Sequence, residues 1–136
     1  MKDTVFIDTS GFYALLAKVD DKHQKAKEIL YQAAQDKQRF VTTDYVLDET
    51  ATLLRSRGMD HVTAPLFDII FTSKACSVIW MDQERFLKAK TFFLRTSDHS
   101  WSFTDCASFI VMKEMKLSLS LTTDHHFKEA GFTPIL

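Results

Sequence analysis

Apolar positions along this chain follow two periods that take turns. Short β-branched or aromatic runs at residues 4–7, 39–43, 76–80 and 117–121 read as strands buried on both faces. Between them apolar residues recur three and four apart, the stripe of a helix packed on a core. Phe12, Leu15 and Leu16 mark the first such helix. Ala26, Ile29, Leu30 and Ala33 mark a second, which starts near Asp20-Asp21-Lys22 and carries a Lys-rich outer face. Val46, Leu47, Ala51, Leu53 and Leu54 define a third from Tyr45, with Gly58 as its C-terminal stop. Leu66, Phe67, Ile69, Ile70 and Phe71 give a fourth with Pro65 near its first turn. Phe86, Leu87, Ala89, Phe92, Phe93 and Leu94 give a fifth. After a polar loop at 96–100 come a helix over 103–115, the strand at 117–121 and a short helix over 127–130 closed by Gly131. The tail at 133–136 is placed to add an edge strand.

Strands alternating with helices predict an α/β fold, a mostly parallel sheet of four to five strands covered on both faces, in one domain spanning 1–136. With 3 Gly and 2 Pro, the chain has too few turn residues for an all-β sandwich. In a parallel sheet the ligand crevice lies beyond the carboxyl ends of the strands. Four strands here run into an aspartate: Ile7-Asp8, Thr43-Asp44, Met81-Asp82 and Thr123-Asp124. A parallel sheet gathers those acids on one edge.

Charge and cysteine usage narrow the field. The chain carries 17 basic and 18 acidic residues, net −1, which excludes holding nucleic acid by bulk electrostatics but leaves room for an enzyme that binds it locally. Cys76 and Cys106 sit in apolar surroundings without metal-ligand spacing and read as reduced core thiols. No apolar run reaches the ~18 residues of a membrane span, and the N-terminus has no signal-peptide pattern. A soluble, cytoplasmic protein with no membrane association is expected.

An aspartate between a strand and a helix is ordinarily an N-cap, and Asp44 and Asp82 are read as caps. Four other carboxylates are different. Glu49 lies a turn inside its helix, beyond the reach of a cap. Asp105 sits among core-facing residues in Phe103-Thr104-Asp105-Cys106-Ala107-Ser108-Phe109. A carboxylate there is costly unless it is paired or binds a cation. With Asp8 and Asp124 these make four acids that have no Lys or Arg beside them, and such a group should raise its members' pKa values. A hard divalent cation, Mg²⁺ or Mn²⁺, is the simplest remedy. His125 and His126 follow Asp124, but adjacent histidines at a helix start are expected to diverge. His126 is assigned to packing or capping and His125 to solvent.

These segments resemble the PIN-domain family, and most closely its VapC-type toxin ribonucleases. Asp8-Thr9-Ser10 after the first strand, the run from Thr43 through Asp48-Glu49-Thr50, the run from Trp101 to Phe109, and Leu121-Thr122-Thr123-Asp124-His125-His126-Phe127 match its successive motifs in order. The resemblance implies a three-layer α/β/α, Rossmann-like fold and Mg²⁺- or Mn²⁺-dependent endonucleolytic cleavage of RNA, mainly single-stranded or in loops. It also implies that Asp8, Glu49, Asp105 and Asp124 form the catalytic and metal-binding quartet. Asp48 adjoins Glu49, but neighbouring helix positions lie ~100° apart, so only one can face the cleft, and the family pattern favours Glu49.

Thr9, Ser10 and Thr104 carry hydroxyls suited to orienting a carboxylate or a water, although Ser10 equally fits an N-cap. Lys18, Lys22, Arg55, Arg57 and Lys128 are the basic residues placed to meet RNA, each equally readable as part of a solvated helix face, and Trp101 and Phe12 are candidates for stacking on bases unless the core buries them. The surplus apolar surface around Phe67, Ile69, Ile70, Phe71, Phe92 and Phe93 predicts a homodimer interface or a groove for a partner. The resemblance adds a small antitoxin as that partner; a free-standing RNA-processing nuclease or a metal-binding RNA adaptor without turnover is the alternative. A phospho-receiver domain is disfavoured, since only Asp8 follows the first strand and no lysine stands in the last four residues. A haloacid-dehalogenase-type phosphatase needs an aspartate where this chain has Ser10.

Overall fold

The structure is a computed structural model that describes residues 3–136, so the first two residues of the expected domain lie outside it. In chain order the elements are β1 (Val5–Ile7), α1 (Thr9–Leu16), α2 (His23–Gln35), β2 (Phe40–Thr43) and α3 (Asp44–Ser56). A single 3-10 turn (Asp60–Val62) leads into α4 (Thr63–Thr72), β3 (Cys76–Ile79), α5 (Gln83–Arg95) and α6 (Phe103–Glu114). β4 (Leu119–Leu121), α7 (His125–Glu129) and β5 (Thr133–Pro134) complete the chain.

The five strands form one sheet in the order β3-β2-β1-β4-β5, and every pair is parallel. The expected edge strand in the tail is present as β5. Val5 pairs with Phe40 on one side and Leu119 on the other, which puts β1 at the centre. Consecutive residues of β1 serve opposite faces. Phe6 meets the Phe127 ring of α7 with 6.3 Å between centroids, whereas Ile7 lines a groove with Phe12 and Leu15 of α1. Edge-on ring contacts of Phe109 with Phe127 (4.9 Å) and Trp101 (5.2 Å) fill the α6–α7 side.

Local chemistry sets the helix boundaries. The Asp20 carboxylate accepts the Lys22 backbone N–H, so a turn precedes α2 and the helix starts at His23 rather than near Asp20. Asp124 accepts the His126 N–H, and α7 therefore begins at His125, earlier than the sequence indicates. Asp82 caps α5 as expected, through the Arg85 N–H. Asp44 does not cap α3. Thr43 takes that role by accepting the Val46 N–H, and the Asp44 carboxylate instead accepts the Met81 N–H, tying the end of β3 to α3. Ser10 is likewise inside α1 rather than at its cap, because Asp8 occupies that position.

Strand order reverses beside β1: the chain moves outward through β2 and β3, then returns to place β4 on the other flank. A parallel sheet opens its crevice at such a switch point. Asp8 ends β1 and Thr122 to Asp124 end β4, so both segments border this opening. Gly11 lets α1 approach it closely, since a Cβ there would lie 2.1 Å from the Leu121 carbonyl oxygen.

Candidate active site

Asp8 is 4% exposed and has no basic partner among the described residues. Its Oδ2 accepts hydrogen bonds from Thr122 Oγ1 at 3.0 Å and Ser10 Oγ at 3.2 Å. Burial nevertheless dominates and raises its pKa from 3.8 to about 6. The Thr9 backbone N–H and the Thr122 hydroxyl pull it down, while the charges of Asp105 and Glu49 push it further up. That repulsion brings three of the four predicted acids into one electrostatic neighbourhood. Of the adjacent pair on α3, Glu49 is the one that acts on Asp8; both are exposed.

Asp105 is 7% exposed in the first turn of α6. Ser102 and Asp105 form a reciprocal capping box: Ser102 Oγ accepts the Asp105 N–H at 3.0 Å, and Asp105 Oδ2 accepts the Ser102 N–H at 3.1 Å. The same Oδ2 receives His126 Nδ1–H at 2.9 Å, and Asp124 Oδ1 lies 3.2 Å from that nitrogen. Asp105 and Asp124 are therefore joined through one imidazole. Burial opposes the imidazolium, but the hydrogen bond to Asp105 and the charges of Asp124, Asp105 and Glu129 outweigh it, and the His126 pKa rises.

Thr122 closes the circuit from the other side. Its hydroxyl donates to Asp8 and accepts the Asp124 N–H at 2.9 Å, so one residue fixes both strand-end acids. Ser10 Oγ, 3.0 Å from Thr122 Oγ1, also accepts the Thr123 N–H. Ser10 is thus the expected hydroxyl that orients a carboxylate. Thr9 Oγ1 is buried without a partner, and Thr104 is half-buried in the first turn of α6.

One expectation is corrected. His125 and His126 do not diverge. Their rings lie 4.5 Å apart and both nitrogens turn toward Asp124. Together with Asp124 they form, among the described residues, a group of metal-capable side chains with ligand atoms within 4.8 Å of one another. Trp101 and Phe12 are 8% and 2% exposed and are unavailable to bases. Trp101 packs between His99 and Phe92 and donates to Glu129. Arg55 pairs with Asp60 at 2.9 Å, and Arg57 sits over the Tyr13 ring, so both have intramolecular partners. Lys128 is exposed on α7, the helix that Asp124 caps; Lys18 is exposed and Lys22 half-buried. Cys76 and Cys106 are free thiols whose pKa values burial raises, that of Cys76 to about 11.

Sequence reasoning missed Thr122 and His126. The Ser102-x-x-Asp105 spacing was a visible capping-box signal. A threonine two residues before a strand-end aspartate was not distinctive.

The donor set fits a hard cation. Asp8 is a buried carboxylate with no basic partner among the described residues, its neighbours are carboxylates and hydroxyls, and Thr9 Oγ1 has no partner.

Comparison with known proteins agrees with this geometry. The PIN domain profile matches residues 5–133. A protein named 23S rRNA-specific endonuclease VapC20, from Mycobacterium tuberculosis, is 30% identical over 131 residues, covering 96% of this chain and 97% of its own. A VapC ribonuclease from Archaeoglobus fulgidus is 30% identical over 115 residues, 83% of this chain and 72% of that protein. The crystal structure of M. tuberculosis VapC20, described as a sarcin–ricin loop cleaving toxin, superposes with a TM-score of 0.83 at 28% identity. It covers 96% of this chain and 98% of its own. A parallel sheet carrying its acids at the switch point, matched by that profile along nearly its whole length, places this chain in the PIN-domain family.

Proposed function

We propose that this chain, as one PIN domain over 1–136, is a Mg²⁺- or Mn²⁺-dependent endoribonuclease and the toxin of a toxin–antitoxin pair. The observation that carries the reading is the buried Asp8, held by Ser10 and Thr122 and repelled by Asp105 and Glu49. Asp8, Glu49, Asp105 and Asp124 are the residues that would hold the cation. When bound, it would make water acidic enough to serve as a nucleophile and neutralise charge growing on phosphate oxygens. The residues of the chain fix the geometry: Thr122 and Ser10 orient Asp8, and the capping box holds Asp105. In-line attack by water on phosphorus with a 3′-oxygen leaving yields a 5′-phosphate and a 3′-hydroxyl.

Lys128, exposed on the helix that Asp124 caps, is the contact for the RNA backbone, with Lys22 as a second; the partners of Arg55 and Arg57 make them weaker choices. An apolar groove of ≈ 530 Å³ between α1, α2 and α4, lined by Leu15, Leu16, Leu30, Leu66 and Ile69, supports docking of an antitoxin segment. Phe71 and Trp80 stack in the open, 56% and 57% exposed, and with Phe86 and Leu94 support a homodimer. No helix of the described residues is long and apolar enough to cross a membrane.

The test is cleavage of end-labelled RNA, both single-stranded and a stem-loop carrying a sarcin–ricin sequence, with Mg²⁺ or Mn²⁺. Cuts that leave 5′-phosphates and disappear with EDTA and in Asp105→Asn are expected. Cation binding without cleavage of either RNA would favour an adaptor, and cleavage undiminished in EDTA would overturn the reading.

A further inference from the structure

We propose that His126 is a positioning residue of the candidate active site, setting the separation and orientation of Asp105 and Asp124 for the cation. The inference rests on the metal-dependent reading above. Three observations lead to it. The side chain is 17% exposed, and Nδ1 is hydrogen-bonded to Asp105 Oδ2 at 2.9 Å while lying 3.2 Å from Asp124 Oδ1, so one nitrogen faces two carboxylates from separate segments. The contact consumes Asp105 Oδ2, which also takes the Ser102 N–H, and among the described residues no donor reaches Oδ1. The imidazole is itself fixed: Ser100 Oγ lies 3.3 Å from Nε2, and Asp124 accepts the His126 backbone N–H.

Carboxylates accept only, so the proton between ring and Asp105 resides on Nδ1. Packing alone would not require that nitrogen to face two acids. Removing it leaves Asp105 and Asp124 to repel each other, and α6 and α7 lose the hydrogen bond that fixes their starts relative to one another. Ligand groups are commonly oriented in this way by a hydrogen-bonding residue that never touches the metal.

The experiment is Mn²⁺ titration of the full chain, read by the electron paramagnetic resonance of free Mn²⁺, with thermal melts alongside. The variants are His126→Ala, His126→Asn and His126→Gln. Asn presents an amide N–H near the place of Nδ1, whereas the longer Gln carries its amide toward Nε2. His126→Ala should weaken Mn²⁺ binding about tenfold or more, Asn should recover most of it, and Gln should not. Equal Mn²⁺ affinity in wild type and a folded Ala variant overturns the proposal, even if the melting temperature falls. If Ala does not fold, Asn and Gln decide: equal affinities overturn it, and Asn alone near wild type supports it. Failure of the wild type to bind Mn²⁺ would remove the metal-dependent reading itself.

Discussion

Thr122 Oγ1 donates a 3.0 Å hydrogen bond to Asp8 Oδ2 across a separation of 114 residues, joining the ends of the two strands that flank the switch point. The bond stabilises the ionised carboxylate and lowers its pKa against the larger effect of burial. Thr122→Val keeps the shape and removes both the donor and the acceptor used by Asp124. The expected cost is about 1–3 kcal/mol in urea denaturation. The Asp8 carboxyl should also titrate higher in NMR than in wild type; an unmoved titration would show that the bond does not support the charge.

Asp8 makes stability depend on pH. Its folded pKa, about 6, exceeds the ordinary value of 3.8, so the folded state holds the proton more tightly. The associated stability is full below about pH 3.8 and is lost as pH rises through about 6, an integral of roughly 3 kcal/mol. His126, with its pKa raised, acts in the same direction, its share being lost as pH rises through its own shifted value. Asp8→Asn isolates the first effect. Without divalent cations, the variant should gain on wild type by up to roughly 3 kcal/mol between pH 4 and 7.5, and a constant difference would refute the burial argument.

Asp105→Asn retains an acceptor for the Ser102 N–H, so the capping box survives. Its melting temperature should stay near wild type while RNA cleavage falls about a hundredfold or more. A variant that cuts normally would remove Asp105 from the catalytic group.

Gly11→Ala tests the close approach of α1. The added methyl would meet the Leu121 carbonyl, a backbone atom with no rotamer to escape into. Destabilisation of about 1–3 kcal/mol or more is expected, with loss of cleavage because α1 carries Ser10. A stability equal to wild type would mean that the helix can slide outward without cost.

The fold was legible in the sequence because periodicity separates the strands from the helices here, and the strand-end aspartates point to one edge. The capping role of Asp44 was misread because nearby sequence does not reveal that the Met81 N–H approaches it. His126 was assigned to packing or capping for a similar reason: its partner Asp105 is 21 residues earlier and meets it only when α6 and α7 start side by side. Trp101 carried an aromatic signal, but its indole N–H is satisfied by Glu129 and its faces by His99 and Phe92. Short-range patterns report elements and caps; contacts between distant segments decide which acid is paired with what.

The central position of β1 also orders events during synthesis. Its flank on one side waits for β4, whose register partner for Val5 is Leu119. A ribosome therefore delivers Asp8 and Glu49 long before Asp105 and Asp124, and a nascent or truncated product ending just ahead of residue 119 carries three of the four acids but lacks Asp124 and the strand that closes this flank of β1. Long-range parallel pairing of this kind is slow to form. The four acids of the proposed cluster therefore come together only once β4 has emerged and paired with β1.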